Sequence, residues 1–227
     1  MALNEKIIVA VDGPAGSGKS SISKEVAKQM DLKYIDSGAV YRAITWHLLQ
    51  KYNSIHEKNN LSADLIDISI SQTFNADGNC STFINGLDIS GKIRNEIIAK
   101  NIGIVSDDTG VRKYVNNILR KWAELSSIIM DGRDIGSVVF PNANIKIYLD
   151  ASVDVRALRR FEEYKETGKN VDIKDIKKQI ALRDTQDMSR PFGRLEKRDD
   201  AIYIDTTNMK KDEVIREFIS IIMKSSK

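Results

Sequence analysis

Two textures alternate along the chain. Short apolar runs rich in β-branched residues, at 7–11, 32–36, 128–130, 145–149 and 201–204, read as buried strands. Between them lie longer stretches whose apolar residues recur at helical spacing. Ile22, Val26, Ala27 and Met30 form one such stripe, and residues 39–49 continue as a helical segment opened by Gly38. Val111, Tyr114, Val115, Ile118, Leu119 and Trp122 form another, and Val214, Ile215, Phe218 and Ile222 a last one, with Asn208 read as its cap. Residues 94–125 read as helix after helix, and a short helix is expected over 62–70. Strand–helix alternation of this kind predicts an α/β fold of three layers around a mostly parallel, five-stranded sheet.

One segment breaks the alternation. Asp77-Gly78 and Asn85-Gly86 punctuate three short strands, one from Phe74, one at 80–85 and one at 87–89, which predicts a small antiparallel meander inserted at about 71–90. Cys80, the single cysteine, sits in it as a small apolar filler and rules out an internal disulfide or a cysteine-based zinc cluster. No repeat, low-complexity tract or linker separates independent domains.

The chemistry begins at residues 13–20, Gly-Pro-Ala-Gly-Ser-Gly-Lys-Ser, directly after the first strand and before the first helix. This fits the phosphate-binding loop G-x-x-x-x-G-K-[ST] in its proper context. Glycines let backbone N–H groups converge on phosphate oxygens, and the helix presents its positive end to the same anion. Gly13, Pro14, Ala15, Gly16, Ser17, Gly18, Lys19, Ser20 and Ser21 are therefore the candidate ATP-binding residues. Lys19 would reach the β/γ-phosphates and Ser20 would serve Mg²⁺. Polar residues at the carboxyl ends of the other strands are candidates too, because ligands of open parallel sheets bind there. Asp36 and Ser37, with Arg42 in the next helix, are such residues, as are Asp131, Arg133 and Asp134 after the strand at 128–130. Arg112 lies off its helix's apolar stripe and reads, alone, as a surface charge. Arg156, Arg159 and Arg160 share one helix face, and Arg183, Asp187 and Arg190 another, either as a salt-bridge ladder or as ligand contacts.

Net charge is +3 over 227 residues, too weak a basic balance to argue for nucleic acid, and aromatic and basic residues are not interleaved as single-strand binding requires. No apolar run approaches the ~18 residues of a membrane span, and the first residues lack a signal-peptide pattern. The expected home is the cytoplasm. A guanine-reading N-K-x-D is absent, which argues against a GTPase switch.

Five colinear segments then narrow the class: D-G-P-A-G-S-G-K-S, Y-I-D-S-G-A-V-Y-R, D-I-S-G-K-I-R, D-G-R-D-I-G-S-V-V-F-P and R-D-T-Q-D-M-S-R, between residues 12 and 190. Together they resemble the bacterial cytidylate kinases, within the nucleoside monophosphate kinases. The resemblance implies transfer of the ATP γ-phosphoryl to CMP or dCMP with Mg²⁺, by a single monomeric P-loop kinase domain acting on small molecules rather than on nucleic acid or membrane. It divides the chain into a core (1–38, 95–152, 171–227), a monophosphate-binding region (39–94) and a short lid (about 153–170). By the same resemblance Lys19, Arg133, Arg156 and Arg160 are catalytic, the last pair as lid arginines. Ser37, Arg42 and Arg133 would hold the CMP phosphate near Asp36. Asp134 with Arg112 would read the base, and Asp187 with Arg183 and Arg190 would meet the sugar. The family's base-contacting serine aligns with Gly103, with Ser106 one helical turn on, so tightness of cytosine selection stays open. The alternative is another small-molecule kinase on the same core. Neither His47 nor His56 falls in a motif, which suits a reaction that needs no catalytic base.

Overall fold

The computed structural model describes residues 6–56, 58, 60–74, 80–168 and 170–225. Five parallel strands form the central sheet: β1 (Ile8–Asp12), β2 (Lys33–Asp36), β6 (Ile128–Gly132), β7 (Ile145–Asp150) and β8 (Ile202–Asp205), in the order β2-β6-β1-β7-β8. Val9 pairs with Ile129 and Ile145, so the three central strands stay in register. Side chains of successive residues leave opposite faces. Ala10, Ile35, Ile128 and Met130 enter one core with α2 (Ser37–Lys51) and α4 (Thr109–Ala123), while Val9, Val11, Ile129 and Ile147 enter the other with α1 (Lys19–Met30) and α7 (Lys211–Ser225). The strands are apolar on both faces because both are covered.

The helices begin where short polar side chains cap them. Asp36 accepts from the amide of Ala39 at 2.8 Å, Asn95 from Ile98 at the start of α3 (Glu96–Asp107), and Asp108 from Val111 at the start of α4. α2 therefore starts at Ser37, one residue before the expected Gly38. Two other expectations shift more. The helix expected over 62–70 is a single tight turn at Leu61–Leu65, because Ile68 and Ile70 are buried at a spacing of two, which suits a strand. α7 begins at Lys211, with the amide of Lys210 donating to Glu213, so Asn208 lies in the preceding turn.

The insertion is a three-stranded antiparallel sheet, β3 (Ile70–Phe74), β4 (Cys80–Ile84) and β5 (Leu87–Asp88). β3 ends at Phe74, where the sequence pattern had a strand begin; the Asp77-Gly78 turn lies outside the described residues. Asn85 and Gly86 both take positive φ, 49° and 80°, as a two-residue hairpin turn requires. Gln72 of β3 fastens this sheet to the core: its side-chain amide accepts from the backbone N–H of Asp36 (3.2 Å) and donates to the carbonyl of Asp36 (2.9 Å). α5 (Val153–Glu166) and α6 (Ile173–Ser189) pack on each other through Ala157, Ile176 and Ile180.

Candidate active site

All five parallel strands finish at one edge, and Asp12, Asp36, Asp131, Asp150 and Asp205 stand at or beside their carboxyl ends. The crevice above this edge has a volume of about 1740 Å³.

At one end lies the loop between β1 and α1. Gly13 passes so close to β7 that an added Cβ would sit 2.0 Å from the carbonyl oxygen of Leu149. Gly16 and Gly18 take φ of 78° and 93°, values that suit glycine. Lys19 is buried and folds back over the loop, its Nζ donating to the carbonyl of Pro14 (2.6 Å) and to Ser17 Oγ (3.2 Å). Burial, then the neighbouring Arg133, pulls its pKa down to about 7. Ser20 Oγ donates to Asp131 Oδ2 at 2.7 Å, and Tyr34 OH donates to Asp131 Oδ1 at 2.6 Å. Burial first, and Asp36 second, push the Asp131 carboxyl above its ordinary range. Ser21 Oγ donates to the carbonyl of Gly18.

The other end is built from arginines and carboxylates of separate elements. Arg112 is not a surface charge: it is 1% exposed, because α4 turns this position toward the turn after β6 rather than toward solvent. It donates to Asp134 Oδ2 (2.5 Å) and to the carbonyls of Ser106 (2.8 Å) and Gly193 (3.2 Å), and lies between the rings of Tyr41 and Phe192. Gly193 makes this approach possible, since a Cβ there would sit 2.1 Å from an Arg112 nitrogen. Asp187 is fully buried and pairs with Arg133 (2.8 Å), Arg183 (3.0 Å) and Arg190 (2.7 Å). Burial alone would raise its pKa, but the three guanidinium groups outweigh it and hold the carboxyl below its ordinary range. Arg190 stands just past the end of α6 and also binds Asp107 and the Ser106 hydroxyl. The Arg183–Asp187–Arg190 ladder thus reaches into β6's loop and α3. Gly103 faces Arg183, whose Nη1 would be 3.7 Å from an added Cβ. The Ser106 hydroxyl, one turn on, is taken by Arg190 and by the Gly103 carbonyl.

Between the two ends, Ser37 Oγ donates to the carbonyl of Asp131 (2.6 Å), and Asp36 Oδ2 pairs with Arg94 (2.6 Å). Arg42 is half-buried on the crevice wall and makes no ion pair within 4.0 Å among the described residues. On the lid side, Arg160 is half-exposed and pairs with Glu163 at 3.0 Å. Arg156 is buried, donating to the carbonyls of Ala15 (2.9 Å) and Ala151 (2.8 Å) and pairing with Asp184 (2.7 Å). Arg159 binds the hydroxyl and carbonyl of Thr206.

Of the expected site residues, Gly13, Pro14, Arg156 and Asp187 stand behind the crevice wall; the others line it. His56 lines it as well. Several participants carry no assignment from the sequence. Arg94 closes the segment D-I-S-G-K-I-R and so was within reach of it. Asp12 opens the segment D-G-P-A-G-S-G-K-S, one residue before the loop motif, and its carboxylate accepts from the amides of Ile135 (2.8 Å) and Gly136 (2.7 Å). Gln72 and Gly193 stand in segments with no pattern to mark them.

A family model described as cytidylate kinase matches residues 9–224. The chain is 39% identical to a cytidylate kinase of Bacillus licheniformis over 99% of each protein. It is 41% identical to one of Lactobacillus johnsonii, over 99% of this chain and 97% of that one. A shikimate kinase structure from Acinetobacter baumannii superposes with a TM-score of 0.50 at 13% identity, over 98% of this chain and 96% of that one, and shares the fold alone. With near-complete coverage at this identity, and with a P-loop facing an arginine–carboxylate cluster across one crevice, the chain belongs to the cytidylate kinase family.

Proposed function

We propose that this chain transfers the γ-phosphoryl group of ATP to CMP or dCMP, giving ADP and CDP or dCDP. The observation that carries the acceptor is the buried Arg112–Asp134 pair at the far end of the crevice from the P-loop. Cytosine offers an amino donor beside ring acceptors, and a carboxylate with a guanidinium matches that pattern where uracil would be mispaired. ATP phosphates would lie on the loop 13–21, with Lys19 exchanging its contacts to Pro14 and Ser17 for phosphate oxygens. Ser37, Arg42 and Arg133 would hold the acceptor phosphate, with Arg94 leaving Asp36 to join them. Arg183, Asp187 and Arg190 would border the sugar.

The acceptor phosphate is already a nucleophile, so the work of these residues is to hold two anions in line and neutralise the charge between them. Arg160 would complete that neutralisation when the lid (about 153–170) and the monophosphate-binding region (39–94) close on the core. Arg156 reaches the transferring group in this reading only by leaving Asp184. The hydroxyl of Ser20 and the carboxylate of Asp131 offer hard oxygen donors beside the loop, which fits Mg²⁺ carried on the triphosphate. Among the described residues no group of three or more His, Cys, Asp or Glu is arranged to hold a metal, consistent with an ion held by the substrate. Magnesium would supply charge neutralisation and orientation of the phosphate oxygens. In this reading the chain acts as a monomer. No helix among the described residues is long and apolar enough to cross a membrane, and a cytoplasmic location fits soluble nucleotide substrates.

Initial-rate ADP formation from ATP and Mg²⁺, with CMP, dCMP, UMP, AMP or GMP beside a no-acceptor control, tests this. CMP and dCMP should stimulate strongly with UMP far behind. Equal rates with CMP and UMP would remove base reading by Arg112 and Asp134, and slow hydrolysis indifferent to every acceptor would remove the kinase reading itself.

A further inference from the structure

The turn that carries Asp134 is capped by a residue more than a hundred positions away in the chain. After β6, residues Ile135–Val139 form one wide turn in which Phe140 N–H donates to the carbonyl of Ile135 and Val139 N–H to that of Asp134. The first amides of any helical turn lack partners within it and need an acceptor. An aspartate at the position of Asp134 ordinarily supplies that acceptor by folding its own carboxylate back. Asp134 does not: its side chain makes no capping bond and pairs with Arg112 instead. The two leading amides, Ile135 and Gly136, are taken by Oδ1 and Oδ2 of Asp12. Asp12 is 7% exposed and ends β1, directly before Gly13 of the phosphate loop.

We infer that Asp12 is a positioning residue for acceptor selection, acting by capping the turn in place of Asp134 and so releasing the Asp134 carboxylate toward Arg112 and the base. The same carboxylate ties the start of the donor loop to the base-reading turn, so the two subsites share one fixed point. Gly136 fits this arrangement closely, since an added Cβ would sit 3.3 Å from Asp12 Oδ2 and from the Lys146 stem. The inference rests on the reading above that Asp134 faces the acceptor base.

Asp12→Asn keeps the shape but turns an N–H donor toward one of the two amide donors. Asp134 then becomes the better cap and leaves Arg112. Full-length Asp12→Asn, Asp134→Asn and the unaltered chain should be compared for kcat/KM with CMP and with UMP, and for ATP affinity by calorimetry. The expected result for Asp12→Asn is a fall of about tenfold or more in the CMP-to-UMP ratio of kcat/KM, with ATP affinity within about twofold. A ratio unchanged in Asp12→Asn but lowered in Asp134→Asn overturns the role of Asp12 alone. A ratio unchanged in both overturns base reading by Asp134. Equal weakening of ATP and CMP with the ratio preserved makes Asp12 a packing residue and also overturns the inference. Should Asp12→Asn fail to fold, Gly136→Ala applies the same disturbance from the other side. It is expected to lower the ratio in the same direction by less, and an unchanged ratio there counts equally against the role.

Discussion

At the proposed donor end of the crevice the groups offered to an anion belong to one contiguous stretch, residues 13–21; at the proposed acceptor end they are side chains drawn from α2, α4, the turn after β6 and α6. The first arrangement is local and is enforced by three glycines and a helix start. The second exists only when the whole sheet is in register, because Asp187 gathers arginines from two segments and Arg112 binds partners 22 and 81 residues away. A phosphate loop therefore recurs on many folds and marks only the donor. What distinguishes one acceptor from another is assembled only by the tertiary fold, from charges that are stable only in company.

Three perturbations sharpen this contrast, taken from the largest effect to the smallest. Lys19→Met removes the one side-chain cation of the donor loop and should lower kcat by about a hundredfold or more with little loss of folding stability. Initial rates beside urea denaturation would check both halves, and a comparable loss of stability would show that the donor end is as cooperative as the acceptor end. Asp187→Asn should do the reverse to stability. It leaves three arginines facing one another and should cost about 3 kcal/mol, at the low end for a broken buried pair because Arg133 and Arg183 are a quarter exposed. A midpoint in urea close to that of the unaltered chain would mean that the arginines find solvent without rearrangement.

The smallest effect is on pH dependence. Burial lowers the Lys19 pKa from 10.5 to about 7 and raises that of Asp12 from 3.8 to about 7. Between pH 7 and 10.5 the unfolded chain holds the lysine proton and the folded one does not, so this group adds stability as pH rises through that window. Between pH 3.8 and 7 the folded chain holds the Asp12 proton and the unfolded one does not, so that group removes stability as pH rises. The pair should leave a minimum near neutrality. In melting curves from pH 5 to 10, Lys19→Met should flatten the alkaline limb and Asp12→Asn the acid limb; parallel curves for all three proteins would count against these shifts.

How much of this was visible in the residues follows from the same contrast. The strand pattern and the donor loop are contiguous, and β1, α1 and the parallel sheet stand where periodicity puts them. Arg112 shows the limit. On its own helix it lies off the apolar stripe and looks solvated, since the rings and carbonyls that bury it come from Tyr41, Phe192 and Gly193. Asp12 was hidden by its neighbours: as the residue before Gly13 it reads as part of the loop, while its carboxylate serves a turn that follows a different strand. The Asp-Gly and Asn-Gly pairs reveal the meander, but β3 begins earlier than the pattern predicts, because Ile68 and Ile70 also fit the end of a helix.

The Gln72 side chain has a consequence of another kind. β2 is an edge strand, and the N–H and C=O groups along such an edge are a template on which another chain can pair. At Asp36 both groups are already engaged by the amide of Gln72, which stands in for a neighbouring strand without continuing the ladder. The insertion therefore also covers the end of this edge, through a residue outside the phosphoryl-transfer chemistry.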